Sequence, residues 1–564
     1  MRRTGGKRKT AGKWKTAGKW KMTGRGSAAG RNRLAAVFCA AAVFCAQGLS
    51  PAFAALKEPE YWKAATYYSD DWVANFWNSE SVHMEEELAR IAADGFNSII
   101  LAVPWKEFQP SVSPGAFAYE AYAYEKLDRV LRAAEEQGLW VFLRVGYTWD
   151  FGGGSMDADR YRELVSGGRA EEAWLDYAAS LYEACSVHEN FAGGFITWED
   201  FWNFLQDAGN GKYRENSRAL ARQSGYQEFL EANWTLEELE ERYGLEADSF
   251  EEIGLPERDD PLFWTFYQFY DVWLNQLLRK SQEVFPGLSM EVRLDVDPVN
   301  RLDGSLAGMS HSGTFSCGTA AYTAAMYSVS MGREAADGDM TAAEALAAME
   351  RNLKDVLARN GGKPLFLEQF LFYDDTPEFS HNPKLLPEER TAFLRGAAPI
   401  LASYSGGYGV WTYRDYRNNS VFNSQFGLGS RGWTFSGGAH IQEADGNHRA
   451  SLPAGGKISQ DLGARSRQGR TGGRTLEFSA ESKEPVTLQV SFGGDTRFVS
   501  VEGAETVELN FSQDGELLTV ASDGPVVLDD FYFYNLESEG LLYRVDGTES
   551  ELIGAVRELN GQLP

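Results

Sequence analysis

Cysteine is scarce in this chain, with four in 564 residues. Two of them, Cys39 and Cys45, fall in an apolar leader-like stretch. A disulfide framework is therefore excluded as the source of stability, and Cys185 and Cys317 read as unpaired thiols. Histidine is also rare, six in all and scattered, and no H-E-x-x-H occurs, so no catalytic metal is expected. Neither a phosphate-cradling P-loop nor a dinucleotide glycine fingerprint is present, and no cofactor is expected. Basic charge is missing from the body of the chain. Twelve of the 54 Lys and Arg lie in residues 1–54, which leaves 42 against 81 Asp and Glu, a formal charge of −39. A surface so acidic repels polyanions, which excludes nucleic acid and an anionic membrane as partners.

Residues 1–54 hold no acidic residue, the apolar run LAAVFCAAAVFCAQGL and the small-residue stretch PAFAA. That is the layout of a secretory signal with cleavage near Ala54, and an uncleaved anchor shares it. An apolar run of about 16 residues is short for a span, so a secreted or envelope-associated protein is expected. No membrane contact is expected beyond that segment.

From residue 55 to about 430, short apolar runs alternate with amphipathic helical stretches. The runs are NSIILAVPW, LWVFLRVGY, GGFITWED, LSMEVRLDVD, PLFLEQF and GGYGVWTY. A β-then-α rhythm predicts a parallel sheet wrapped by helices, and the strand count favours a closed (β/α)8 TIM barrel. Completing eight strands requires WVANFWN (72–78) as the first and AAMYSVS (324–330) as the sixth. Over 431–545 the pattern changes to period two between GGD, QDG and SDG turns, which predicts a small all-β sandwich, jelly-roll-like in outline. Residues 546–564 form a C-terminal tail. Trp433 and Phe435, at the junction, suggest packing against a neighbour.

A barrel presents its active site at the carboxyl ends of its strands. Glu368 in PLFLEQF lies near such an end, and Glu199 with Asp200 in GGFITWED lies at another. Two carboxyls on different strands suit glycosidic cleavage. One protonates the leaving oxygen while the other supports the oxocarbenium-like carbon, at about 5–5.5 Å separation in retaining enzymes.

Three segments carry a family resemblance: GFNSIILAVPWKEFQP, KPLFLEQF and GGYGVWTYRDY, in that order. The chain resembles clan A glycoside hydrolases, nearest the family 5 cellulase/mannanase type, over about residues 70–425. The resemblance implies a retaining two-carboxylate hydrolase of β-linked glycans such as β-glucan or mannan, with Glu368 as nucleophile and Trp411 as floor of the −1 subsite. The fourth strand departs from the family's Asn-Glu, reading Trp-Glu-Asp. Glu199 is the preferred acid/base, since it shares a face with Thr197 by strand alternation, and Asp200 is the alternative. The family's second-strand Arg is absent, and Arg144 or Arg293 would replace it beside the nucleophile. Tyr327 would take the role of the family's sixth-strand aromatic, which hydrogen-bonds the nucleophile.

Aromatic rings near strand ends would stack on pyranose faces: Trp105, Tyr147, Trp149, Trp202, Tyr327, Trp411 and Tyr413. The aromatic run 261–278 instead recurs at three- and four-residue steps, the mark of one buried helix face. DVDPVNRLDG (295–304) lacks EF-hand spacing and reads as a loop, and the insertion 207–258 reads as an acidic helical cover for the mouth. VVLDDFYFYN resembles the end of a jelly-roll carbohydrate-binding module, and a purely structural sandwich fits it equally. The competing class is a non-catalytic carbohydrate-binding or envelope protein on a decayed hydrolase barrel.

Overall fold

The computed structural model describes residues 56–564 except 112–116, 148–157, 166–167, 198–215, 258, 294–296, 310–321, 330–338, 372–383, 445, 464–473, 514 and 537–540. Eight parallel strands close into a barrel: β1 (Trp62–Thr66), β2 (Ser98–Pro104), β3 (Trp140–Tyr147), β4 (Phe191–Ile196), β5 (Ser289–Arg293), β6 (Thr323–Ser328), β7 (Leu365–Leu371) and β8 (Gly407–Val410). They pair in chain order, and β8 returns to β1. Around them stand α1 (Met84–Ala93), α2 (Ala121–Glu136), α3 (Arg169–Cys185), α4 (Phe263–Gln282), α5 (Ala342–Arg359) and α6 (Arg390–Tyr404). Among the described residues no helix is long and apolar enough to cross a membrane.

The foot of the barrel is filled by side chains pointing inward from alternate positions. Trp62, Ala64, Ile100, Phe142, Phe195, Tyr322, Ala324 and Phe366 form one buried cluster. Trp62 meets Phe142 edge-on at 4.9 Å, and Phe142 lies 5.0 Å from Phe366. Parallel strands alternate inward and outward, so positions two residues further on form the next layer toward the carboxyl ends.

The first strand is not WVANFWN. β1 is Trp62–Thr66, and Val73–Phe76 is a short helix with every residue buried. Asn75 explains the helix locally: its amide donates to the Asn419 carbonyl at 2.9 Å and accepts from the Asn419 N–H at 3.2 Å, which docks this turn on the second domain. β1 was hard to see because WKAAT is small-residue-rich, as its packing demands. A Cβ on Gly407 opposite would fall 2.5 Å from Trp62 Cβ. The sixth strand starts one residue and ends two residues before the expected 324–330. Helix α4 buries Phe263, Phe266, Tyr267, Tyr270, Leu274, Leu277 and Leu278, with Trp273 partly covered. Residues 297–300 and 306–309 form an antiparallel hairpin where a loop was expected.

The second domain is antiparallel: β9 (Arg417–Asn419), β10 (Thr434–Ser436), β11 (His440–Ala444), β12 (Asn447–Leu452), β13 (Lys457–Asp461), β14 (Arg474–Phe492), β15 (Asp495–Phe511), β16 (Leu517–Ser522) and β17 (Val526–Leu536). The long β14 pairs with β17 in its first half and with β16 in its second, wrapping the sheet around a core that includes Phe478 stacked on Phe531 at 5.0 Å. β9 already pairs with β17, so the sandwich sheet draws in a strand ahead of residue 431. Trp433 and Phe435 pack on Phe426 inside the sandwich rather than bridging the domains.

The seam between the domains is polar and buried. Across it Glu80 accepts from His448 Nδ1 at 2.5 Å and donates its N–H to Gln425 Oε1 at 2.8 Å, while on the sandwich side Gln425 reaches Asp530 at 2.9 Å and Asn447 reaches Asp529 at 3.0 Å. Beneath them Lys126, itself buried, donates to the Ser79 carbonyl at 2.7 Å and to Ser81 Oγ at 2.7 Å. Burial, with the Asp530 charge beside it, pushes the Asp529 carboxyl up to about 8.

After the sandwich the chain returns to the barrel. Helix α7 (Ile553–Gln562) fills the space beside α6. Asn560 accepts from the Tyr408 hydroxyl at 2.6 Å and donates to the Asp94 carbonyl at 3.0 Å, and Arg557 meets the Asp94 carboxylate at 2.7 Å. The residues set apart as a tail are thus part of the barrel's wall.

Two predictions follow from these contacts. Asn560→Ala leaves the buried Tyr408 hydroxyl without its acceptor, and chemical denaturation is expected to show a loss of about 1–3 kcal/mol. For Asp529, a carboxyl whose folded pKa is raised is most favourable when protonated. Its contribution is therefore complete below the unfolded value near 4 and is lost as pH rises through about 8. Asp529→Asn should flatten the fall in melting temperature over that window and raise it relative to the parent at pH 8. An unchanged profile would show that Asp529 is not the titrating group.

Candidate active site

Above the apolar foot the lumen turns polar. Arg144 on β3, two residues beyond Phe142, is 1% exposed, and Glu291 on β5 is fully buried. The Arg144 Nη2 stands 3.4 Å from Glu291 Oε2 and donates to Thr197 Oγ1 at 3.0 Å. Thr197, two residues beyond Phe195, in turn donates its hydroxyl proton to Glu291 Oε1 at 3.1 Å. The Arg144 Nη1 points the other way and donates to Gln369 Oε1 on β7 at 3.0 Å. One guanidinium therefore ties four strands together across the lumen.

Glu368 is 1% exposed on β7. Pairing on both sides of it shifts register: Phe366 and Gln369 stand opposite Ala324 and Met326, and Leu367 and Phe370 stand opposite Tyr408 and Val410. β7 thus carries one extra residue, a bulge of the kind that re-aims side chains at functional positions. It sets Glu368 and Gln369 side by side where strict alternation would part them. Gly409 makes room for this, since a Cβ there would fall 2.7 Å from the Glu368 carbonyl oxygen. Tyr322, whose hydroxyl donates to the Gly194 carbonyl at 3.1 Å, has its ionisation suppressed by burial and by the Glu368 charge.

Rings line the same end of the barrel. The Arg144 guanidinium sits 5.2 Å from the Tyr147 ring centre and 5.5 Å from that of Trp411, within cation–π range. Trp72 touches both rings, each with centroids 6.3 Å apart, and stacks on Tyr416 at 5.0 Å. Tyr68 meets Trp411 edge-on at 5.8 Å. The Trp411–Thr412 peptide is cis.

Of the residues expected at the site, Glu368, Arg144, Tyr147 and Trp411 come together. Three do not. Trp105 is buried against Trp174 and Tyr177 of α3, with its indole N–H on Gln109. Tyr327 faces outward and stacks on Phe370 at 6.0 Å, because the inward positions of β6 carry the opposite phase. Tyr413 donates to Asp94 at 2.6 Å and stacks on Tyr543, on the wall covered by α7. Glu199, Asp200, Trp149, Trp202 and the Arg293 side chain lie outside the described residues. Glu291, Gln369, Tyr322, Tyr68 and Trp72 were missed by the sequence reading. Glu291 carried a weaker signal than Glu368, because its strand SMEVR also holds Arg293 and alternates polar with apolar residues.

No family model matches the chain. The exo-β-D-glucosaminidase of Pyrococcus horikoshii is 23% identical over 265 residues, 41% of this chain and 32% of that protein, so the match spans about a third of this curated relative's length. The exo-β-1,4-mannosidase Op5Man5 from Opitutaceae bacterium strain TAV5 superposes with a TM-score of 0.38 at 15% identity, covering 63% of this chain and 52% of the other. The GH5_18 enzyme from Streptomyces cattleya, solved with GlcNAc, gives 0.40 at 14% identity, over 63% and 71%.

Inside the barrel the buried ion pair gives a direct test. Arg144→Met strands the Glu291 charge and should cost about 3–5 kcal/mol in denaturant titrations, whereas Arg144→Met combined with Glu291→Leu should recover most of that loss. A double variant no more stable than the single one would mean that the two charges are not coupled.

Proposed function

We propose that the protein is an exported retaining glycoside hydrolase, similar to family 5, acting on β-linked oligo- or polysaccharides with Glu368 as nucleophile and Glu199 as acid/base. The observation that carries this reading is Glu368 itself: a buried carboxylate on a bulge near the end of β7, beside the layer of Arg144, Glu291 and Thr197 and a rim of aromatic rings. A barrel has no packing reason to hold a charged residue there, since desolvating a carboxylate is costly and a leucine would fill the space. In the first step the Glu368 carboxylate attacks the anomeric carbon while Glu199 gives its proton to the leaving oxygen. In the second, Glu199 takes a proton from water, which displaces the sugar from Glu368. The fixed positive charge of Arg144 favours the ionised nucleophile. Rings such as Trp411 and Tyr147 suit the apolar faces of a pyranose. The sandwich serves in this reading either as a carbohydrate-binding module or as a structural cover for one flank of the barrel.

The substrate panel that tests this holds β-glucans, mannans, xylans and, following the name of the Pyrococcus relative, β-glucosaminides. Glu368→Gln should abolish turnover on natural and activated substrates alike. Glu199→Ala should slow natural substrates by about 100- to 10,000-fold, keep the first step on dinitrophenyl glycosides, and be rescued by azide. Asp200→Asn should mainly weaken binding. Azide rescue of the Asp200 variant instead would move the acid/base to Asp200. Activity unchanged in all three, or binding of glycans with no turnover in the parent, would sink the hydrolase reading.

A further inference from the structure

The buried charges in the lumen do not stand in equal roles. Glu291 is assigned no part in the chemistry, yet it lies at the centre of the network that holds Arg144. The proton directions are fixed. The Thr197 hydroxyl has one proton, which it gives to Glu291 Oε1, so its lone pairs receive the Arg144 Nη2. With Glu291 Oε2 3.4 Å from that same nitrogen, one edge of the guanidinium is held against β4 and β5. Its Nη1 is thereby aimed across the lumen at Gln369, the neighbour of Glu368 on the β7 bulge.

We propose that Glu291 is a positioning residue of the site: it holds the Arg144 guanidinium between β5 and β7 and divides its positive field between two carboxylates, itself and Glu368. This rests on the reading of Glu368 as nucleophile. With Arg144 shared, Glu368 keeps an opposite charge nearby without being locked into a tight pair, so its oxygens remain able to attack. Among the described residues, the ionisable side chains that face this network from the surrounding strands include Arg144 from β3 with Tyr147 at that strand's end, Glu291 from β5 and Tyr322 at the foot of β6. β1, β2 and β8 present Ala64, Ile100, Gly409 and Trp411 there. Glu199, Asp200 and Arg293 stand beside them in the chain. Thr197 adds a second consequence, because it lies two residues before Glu199, so the same network anchors the strand from which the acid/base departs.

Glu291→Gln keeps shape and a hydrogen-bond acceptor but removes the charge. The released field of Arg144 should then make Glu368 more acidic, and the acid limb of kcat/KM should move down by about half a pH unit or more. kcat should fall by about tenfold, with KM little changed, because a nucleophile held more tightly by Arg144 is a weaker one. Glu291→Asp should restore the limb. A fold-only role would lower activity without moving the limb, and an unmoved limb in a folded Glu291→Gln protein overturns the proposal. The Glu368 carboxyl can also be titrated without substrate, by infrared difference between each protein and its Glu368→Gln counterpart. A lowered Glu368 titration in a protein that turns over no glycoside supports the positioning role and removes the hydrolase reading. An unshifted titration removes the positioning role whatever the activity. Should Glu291→Gln not fold, Thr197→Val, which deletes only the bridging hydroxyl, should shift the same titration in the same direction by a smaller amount, and no shift there overturns the inference.

Discussion

A charge buried in a barrel must be answered by another charge, and the Arg144–Glu291 pair is where this chain meets that constraint. Both groups are almost wholly removed from water, where an unpaired ion would be several kcal/mol out of balance. Each strand that supplies a partner is thereby held in register: β3 through Arg144, β4 through Thr197, β5 through Glu291 and β7 through Gln369. The apolar layer below, built around Trp62, Phe142 and Phe366, gives the lumen a dry floor, and that dryness makes each polar contact above it count for more. The bulge on β7 and the missing side chain of Gly409 are the local adjustments that bring Glu368 up to this layer.

The sandwich is joined to the barrel by polar contacts rather than by an apolar interface. Glu80 meets His448 and Gln425 across the seam, Gln425 in turn holds Asp530 on the sandwich side, and the helical turn at Val73–Phe76 is docked there through Asn75. Trp72, at the head of that turn, also touches Tyr147 and Trp411. One short segment therefore serves the seam on one side and the aromatic rim on the other, which couples the placement of the second domain to the shape of the candidate site.

Much of the barrel was legible because parallel strands buried on both faces read as continuous apolar runs. That same property hid the phase. With apolar residues on both faces, nothing in AAMYSVS told whether Tyr327 or the residues beside it turned inward, and Tyr327 turned outward. Trp105 opens a short helix after β2 and Tyr413 lies beyond the end of β8, so strand alternation placed neither. β1 was missed because its close approach to β8 demands alanine where strand signals demand bulk. Glu368 and Arg144 were legible because a charge in an apolar strand is costly enough to require a use. Glu291 obeys that rule too, but M-E-V-R-L-D-V-D alternates so regularly that it resembles a half-exposed strand. Gln369 could not be placed by periodicity, since a bulge breaks the period.

The return of helix α7 to the barrel has a consequence for how the molecule is made. Its residues leave the ribosome after the whole sandwich, yet Asn560 and Arg557 complete the wall around Tyr408 and Asp94. During synthesis the barrel therefore waits with that wall open while the sandwich emerges and folds. A segment made after the sandwich is the one that closes the barrel made before it.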